Sequence, residues 1–191
     1  MKISDYKVLL ASNSPRREEL LRGIDINFEV KTVPEIDESY PDNLPVEEIA
    51  EFVAIKKSQP YRPSLCDDEL VITADTVVLL DGKMFGKPTN KEEAKEMLTT
   101  LSGKTHRVVS GVCLTTSTKQ TSFSVASDVE FAELTNEEIE YYVERYLPFD
   151  KAGAYGVQEW IGYVGVKHIN GSYYNIMGLP IQRLYSELKK F

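Results

Sequence analysis

The stretch "ELVITADTVVLLDGKMFGKP", residues 69 to 88, constrains this chain more than any other. It is a long run rich in β-branched residues, followed by a turn at Asp81-Gly82 and a short return strand to Phe85. Leu70, Ile72, Ala74, Val78 and Leu80 share one face, and Val71, Val77 and Leu79 the other. A strand that is apolar on both faces is covered on both faces, so it belongs in the middle of an α/β sheet. Yet Asp75 stands inside it. An ionised carboxylate there is costly unless it is paired, well hydrogen-bonded or bound to metal. Asp75 therefore reads as a carboxylate aimed at a ligand, as metal ligand or general base. The plainer alternative is a strand that bends at Asp75 and leaves the carboxylate in water.

The surrounding pattern agrees with a mixed α/β fold. Lys7 to Ala11 reads as a strand, and Pro15 to Arg22 as a helix with Ser14 at the N-cap and Gly23 at the C-cap. "INFEVKTV" alternates as a strand does, and "PEIDESYPDNLP" is an acidic, proline-bounded loop. A helix from about Val46 to Ser58 carries Ile49, Phe52, Val53 and Lys56 on or near one face. Lys91 to Leu101 is a helix capped by Asn90, and "THRVVSGVCLTT" and "QTSFSVASDVEFAEL" form two antiparallel strands. A helix from Asn136 to Tyr146, a strand in "GYVGVKHING" and a closing helix in "LPIQRLYSELKKF" complete the chain. Strands mixed with helices, without repeat or linker, predict one α/β domain of two lobes around a mixed sheet.

With 191 residues, 42% of them hydrophobic, the chain can bury a substantial core. A formal net charge of −8 argues against a nucleic-acid binder, which would carry a basic stripe, but leaves room for a small anion held by a few local cations. Cys66 and Cys113 form neither a zinc spacing nor a disulfide framework, which points to a reduced chain. "MKISD" has no apolar leader core, and no apolar run reaches membrane-spanning length, so a soluble cytoplasmic protein is expected.

Three further segments invite chemistry. Arg16 and Arg17 open a helix whose N-terminus is already electropositive, an unfavourable placement unless an anion such as phosphate binds there. The alternative is a solvated pair neutralised by Glu18 and Glu19. "GKPTN" projects Lys87 from a turn soon after the Asp75 strand; it is no phosphate-cradling P-loop, since GxxxxGK[ST] is absent. "FDKAGAYGVQ" is a glycine-bearing loop in which Tyr155 could stack on a base and Gln158 offers a donor and an acceptor to a pyrimidine edge. An ordinary glycine turn with a structural tyrosine is the competing reading. His106 and His168 read as structural, and Glu38 and Lys56 are unremarkable by physics alone.

Taken in order, "LLASNSPRREELL", "EIDE", "AIKK", "ITADTVV", "GKP", "LSGKTHRVVSGV", "DKAGAYGVQ" and "INGSYYNIMGLP" resemble the Maf family of nucleoside triphosphate pyrophosphatases, once known as septum-formation inhibitors. The likeness runs over nearly all of the chain. It implies a single Maf/ITPase-like domain over residues 1–191, with a mixed β-sheet, flanking helices and two lobes around a deep central cleft. The implied activity is metal-dependent hydrolysis of a nucleoside triphosphate to the monophosphate and pyrophosphate, with Mg²⁺ or Mn²⁺ as cofactor. By the same resemblance the proton acceptor falls on Asp75, and Glu38 is its acidic partner toward the metal. Arg16, Thr76 and Gln158 mark the branch acting on dTTP and UTP, and the cleft lysines fall on Lys56 and Lys87. "AIKKS" leaves Lys57 as a rival to Lys56, and Glu159 and Trp160 stand where the family commonly has small residues. Arg17 joins the phosphate-binding set. The other Maf branch, acting on 7-methyl-GTP-type nucleotides, and a nucleotide-binding regulator of cell division are the alternatives. Neither nucleic acid nor membrane is an expected partner. A homodimer is open, though no periodic stripe among the eleven tyrosines marks an interface.

Overall fold

The computed structural model describes residues 5–34 and 36–191. Met1–Ser4, which carry the reading of the amino terminus, and Glu35, which opens "EIDES", lie outside them. The described chain gathers into two compact units. The first comprises residues up to Asp75, Ser110–Val125 and Gly178–Phe191; the second comprises Thr76–Val109 and Ala126–Met177.

In the first unit, β1 (Lys7–Leu10) leads into α1 (Pro15–Arg22), with Pro15 in the first helical turn. Ser14 has the extended backbone of an N-cap but makes no side-chain capping bond; its carbonyl accepts from the N–H groups of Arg17 and Glu18. Gly23 closes the helix at φ −64°, so its conformational freedom is not what ends it; Asp25 takes the left-handed backbone, at φ 55°. β2 is shorter than the alternation suggests, only Phe28–Val30, and pairs in parallel with β1. On its other side β1 pairs in parallel with β3 (Glu69–Leu80), in the register Val8↔Leu70 and Leu10↔Ile72. The second helix, α2 (Ile49–Ser58), is preceded by a 3₁₀ turn at Val46–Glu48.

The inward face of α2 differs from the expected one. Ile49, Ala50, Val53 and Ala54 are buried, whereas Phe52 and Lys56 are only half-buried. The reason lies on β5 (Thr105–Thr115), where a Cβ at Gly111 would stand 2.3 Å from the backbone of Ala50. The helix packs backbone to backbone on that glycine, and the Thr73 hydroxyl donates to the Ala54 carbonyl at 2.6 Å. Position 111 is glycine because no side chain fits between the two backbones.

The second unit begins at Thr76. The latter half of β3 turns through Asp81 (φ 52°) and Gly82 (φ 74°) into β4 (Lys83–Phe85), antiparallel to it. Two successive positive φ values make the primed turn that fits strand twist. α3 (Lys91–Leu101) starts at Asn90, whose side chain accepts the Glu93 N–H. β5 and β6 (Gln120–Phe131) pair as consecutive strands, closed at one end by Thr116 N–H on the Lys119 carbonyl and at the other by Phe131 N–H on that of Lys104. α4 (Asn136–Tyr146) opens with a complete capping box between Thr135 and Glu138.

The segment read as the last strand is divided. Trp160–Gly165 is a helix, α5, and only Val166–Asn170 forms β7, antiparallel to β6. Ile161 and Gly165, four apart, are buried while Tyr163 and Val164 face solvent; a short apolar run does not reveal that period by itself. A one-turn helix, α6 (Tyr173–Ile176), capped by Ser172, was not anticipated, and α7 (Ile181–Leu188) closes the chain in the first unit. Strand order is β2-β1-β3-β5-β6-β7, with β4 on β3, so the mixed α/β sheet with flanking helices is present. Among the described residues no helix is long and apolar enough to cross a membrane.

Tyr155, read as a candidate for base stacking, is instead buried, with its ring packed edge-on against Phe131 and His106. Its hydroxyl is 2.7 Å from His106 Nε2, and the imidazole Nδ1 has no partner among the described residues. Burial lowers the His106 pKa from its ordinary value to about 4, with the Asp128 charge opposing the shift. The folded-state value lies below the unfolded one, so the unfolded chain takes the extra proton first as pH falls. Stability from the neutral ring is complete above about pH 6.5 and is lost progressively toward pH 4, by at most about 2 kcal/mol between pH 7 and pH 5. A His106→Gln variant is expected to be less stable at pH 7 yet to lose less Tm between pH 7 and pH 5 than the wild type. Equal losses in calorimetry would show that His106 does not titrate on unfolding.

Candidate active site

β3 is buried from Glu69 to Ala74 and again from Val77, and opens only at Asp75 and Thr76. The Asp75 carboxylate meets Lys57 from the last turn of α2, Oδ1 to Nζ at 2.7 Å, with both side chains mostly shielded (17% and 14% exposed). A half-buried carboxylate in a strand needs such a partner. The same ammonium lies 3.1 Å from Glu38 Oε1, so two carboxylates converge on one cation. The lysine at Asp75 is thus Lys57, the rival of the sequence reading.

Lys56 does something else. Its Nζ bonds Asp37 Oδ2 at 2.7 Å, the Ser39 carbonyl at 2.7 Å and the Ser39 hydroxyl at 2.9 Å. Lys56 and the N–H and hydroxyl of Ser39 together hold the Asp37 carboxyl down at about 2. Residues 37 and 39 are pinned on either side of Glu38. Upstream, the Val33 N–H donates to the buried Tyr61 hydroxyl at 3.0 Å, and Val33 and Ile36 pack on the Leu9–Tyr61–Val71 cluster. Neighbouring lysines therefore divide the work: one shapes the Glu38 loop and the other joins it to Asp75.

The arginines also divide. Arg17 Nε donates to the Gly178 carbonyl at 2.9 Å, and its Nη1 to the Ala74 carbonyl at 2.9 Å, immediately before Asp75. Burial pulls its pKa down, while the charge of Asp75 pulls it back up. Two of its five N–H donors thus hold backbone at the point where β3 opens. Arg16 lies half-buried in the first turn of α1. Glu18, one of the two acidic residues that could neutralise the arginines, pairs with Arg22 at 2.9 Å.

The second unit carries Thr76, half-buried, and Lys87, exposed on the loop after β4. That loop is tied to the "DKAGAYGVQ" segment by the Gly153 N–H on the Gly86 carbonyl at 3.0 Å. Gly153 has φ 69°, and a Cβ there would stand 3.1 Å from the Val78 side chain, so both backbone and space require glycine. Gln158 is half-buried, and its Oε1 is buried with no partner among the described residues. An orphaned amide oxygen of this kind is what a ligand donor would satisfy. Structure adds Tyr142, which the sequence reading did not name, and ties both it and Lys151 to Glu159 beside Gln158. Lys151 stands in the quoted loop and Glu159 departs from the small residues common after Gln158, whereas nothing local pointed to Tyr142.

Among the described residues no three His, Cys, Asp or Glu side chains are grouped to hold a metal. Asp75 and Glu38 are a two-carboxylate, hard-oxygen set, which matches a cation that completes its shell with substrate phosphates and water.

Comparison with known proteins follows the same line. The family model described as "Maf-like protein" matches residues 7–191. A dTTP/UTP pyrophosphatase of Bacteroides thetaiotaomicron is 60% identical over 98% of this chain and 97% of its own length. One from Phocaeicola vulgatus is 59% identical, with the same coverage of both chains. Among solved structures, the Ham1 protein of Staphylococcus aureus aligns with TM-score 0.54 at 18% identity, covering 95% of this chain and 99% of that one, a likeness of fold. A match along almost every residue, with Asp75, Lys57 and Glu38 drawn together as described, means that this chain belongs to the Maf family.

Proposed function

We propose that this protein hydrolyses dTTP and UTP to the monophosphate and pyrophosphate. The reading is carried by relatives named dTTP/UTP pyrophosphatase that share about three residues in five over nearly the whole chain. The half-buried Asp75, oriented by Lys57 at 2.7 Å, supplies a matching reactive group. Asp75 takes a proton from a water as its oxygen attacks the α-phosphorus; the bond from that phosphorus to the α–β bridging oxygen breaks, and pyrophosphate leaves. Arg16, Lys57 and Lys87 offset the charge that builds on the phosphates. Arg17 holds the backbone beside Asp75, and Lys56 holds the Glu38 loop. Asp75 and Glu38 would hold Mg²⁺ or Mn²⁺, which when bound supplies charge neutralisation on the phosphate oxygens. Thr76 and Gln158 contact the nucleoside, the unpartnered Gln158 Oε1 accepting from a pyrimidine N–H. Two free cysteines, Cys66 and Cys113, are in keeping with a reducing cytoplasm.

Release of monophosphate and pyrophosphate from a panel of nucleoside triphosphates, with each metal and with chelator, tests the reading directly. Asp75→Asn keeps the shape of the side chain and loses its basicity, so kcat should fall at least roughly a hundredfold, with triphosphate binding within about tenfold. More than a tenth of wild-type kcat would remove Asp75 as the base.

The two lysines should separate. Lys57→Ala is expected to lower kcat/KM by at least about tenfold more than Lys56→Ala, a difference worth about 1.4 kcal/mol. The opposite order would return the phosphate-facing role to Lys56.

For Gln158→Ala, preference for dTTP and UTP over purine triphosphates should shrink roughly ten- to a hundredfold, because a bound pyrimidine loses a polar partner worth about 1–3 kcal/mol. Turnover of poor substrates should hardly change. An equal fall in kcat/KM for every base would place Gln158 at the phosphates instead.

A further inference from the structure

Gln158 is the third residue of a tight turn. The Glu159 N–H donates to the Gly156 carbonyl at 3.0 Å, closing residues 156–159. The Gly156 N–H donates to the Tyr142 hydroxyl at 3.0 Å, and that hydroxyl donates in turn to Glu159 Oε2. A ring of hydrogen bonds thus runs from one end of the turn to the other through a fully buried tyrosine of α4. The other carboxylate oxygen, Oε1, lies 3.1 Å from Lys151 Nζ, whose side chain is 9% exposed and which also pairs with Asp150 at 2.7 Å.

Glu159 stands at the N-cap of α5, a place where a side chain commonly bonds the first N–H groups of the helix. It makes no such bond. Its carboxylate turns back over the preceding turn. The space above Gly156 shows the consequence: a Cβ there would lie 2.9 Å from Glu159 Cδ and 3.0 Å from Gln158 Nε2. The amide and the carboxylate are folded over the same glycine, so the position of one limits the position of the other. Burial and the neighbouring carboxylate push the Tyr142 pKa far above its ordinary value, which keeps its proton available for Glu159.

We infer that Glu159 is a positioning residue for Gln158: held by Tyr142 and Lys151, its carboxylate fixes the 156–159 turn and thereby sets how strongly the enzyme discriminates among bases. The inference rests on the proposed base-reading role of Gln158. Glu159 touches neither the reacting atoms nor the phosphates in this scheme. Removing it should therefore act on selectivity through Gln158, mainly in KM for the preferred pyrimidine nucleotides.

The test compares Glu159→Ala, Glu159→Gln, Gln158→Ala and the Gln158→Ala/Glu159→Ala pair, each with dTTP, UTP, dATP and dGTP. Glu159→Ala should reduce the pyrimidine-over-purine ratio of kcat/KM by about tenfold, with most of the change in KM. Glu159→Gln keeps the shape of the side chain and, with its carbonyl accepting from the Tyr142 hydroxyl, the hydrogen-bond ring of the turn, losing only the charge pairing with Lys151, and should restore the ratio to within about threefold of wild type. In the Gln158→Ala background, loss of Glu159 should lower the ratio no further than about twofold, because residues acting through one contact are non-additive. Gly156→Ala gives an independent route that keeps every donor and acceptor. Its backbone is outside the left-handed region, so the new methyl disturbs only the two side-chain ends, and selectivity should fall in the same direction. If Glu159→Ala does not fold, this variant carries the test.

Selectivity lost in Gln158→Ala but retained in both Glu159→Ala and Gly156→Ala would overturn the inference while leaving the base-reading role in place. So would a full additional loss in the double variant, or an equal fall for all four nucleotides. Unchanged selectivity in Gln158→Ala would overturn the base-reading role itself, and this inference with it.

Discussion

The rest of the site depends on how closely α2 approaches β5. A glycine at position 111 and an alanine at 50 bring two backbones into direct contact, and the Thr73 hydroxyl fastens β3 to the same helix at Ala54. Ala50, Ala54 and Lys57 are spaced i, i+4 and i+7, on one helical face. The face that carries the close packing therefore ends on Lys57, one turn beyond Ala54, and delivers its ammonium to Asp75. A bulkier residue at 111 would lift the helix and separate the pair. Packing geometry and charge pairing are one device here: a strand buried on both sides tolerates a carboxylate because the covering helix brings the counter-ion.

Around that pair the chain holds its functional groups by backbone rather than by rigid side chains. Arg17 grips the carbonyls of Ala74 and Gly178, and Lys56 grips residues on either side of Glu38. Cations that seem destined for phosphate are in part struts. The arrangement also answers the electrostatic oddity of two arginines at a helix start. One of them offsets the unfavourable placement with charge-assisted hydrogen bonds to carbonyls and with the nearby charge of Asp75. In the second unit the same principle recurs, with Tyr142 and Lys151 bracketing Glu159 beside the orphaned amide oxygen of Gln158.

Where the sequence was misleading, small residues and short periods were responsible. The face of α2 was drawn through Ile49, Phe52, Val53 and Lys56 because large apolar side chains dominate a periodicity. The buried face is rotated toward Ala50 and Ala54, and Ala50 makes the close backbone contact with Gly111. That rotation sets Lys57, rather than Lys56, against Asp75. Gly162–Gly165 reads as strand because so short a run cannot distinguish alternation from a helical turn, and Tyr155 reads as a base-stacking candidate because a tyrosine beside glycines carries no mark of its burial.

By itself the sequence determined the α/β class, the interior position of β3, the N-cap of α3 and the start of α1, the Asp81-Gly82 turn and the placement of a carboxylate, Asp75, inside an apolar strand. Each follows from local chemistry: alternation, turn propensity, a cap, a charge in an apolar run. The ordered motifs also determined the family. Tertiary structure alone decided which lysine meets Asp75, that Arg17 binds backbone, that Glu38 joins the same cation, and that Glu159 is tied to Tyr142 and Lys151. These are contacts between residues far apart in the chain. Their partners are set by how closely helices and strands pack, which depends on shapes that no local pattern records.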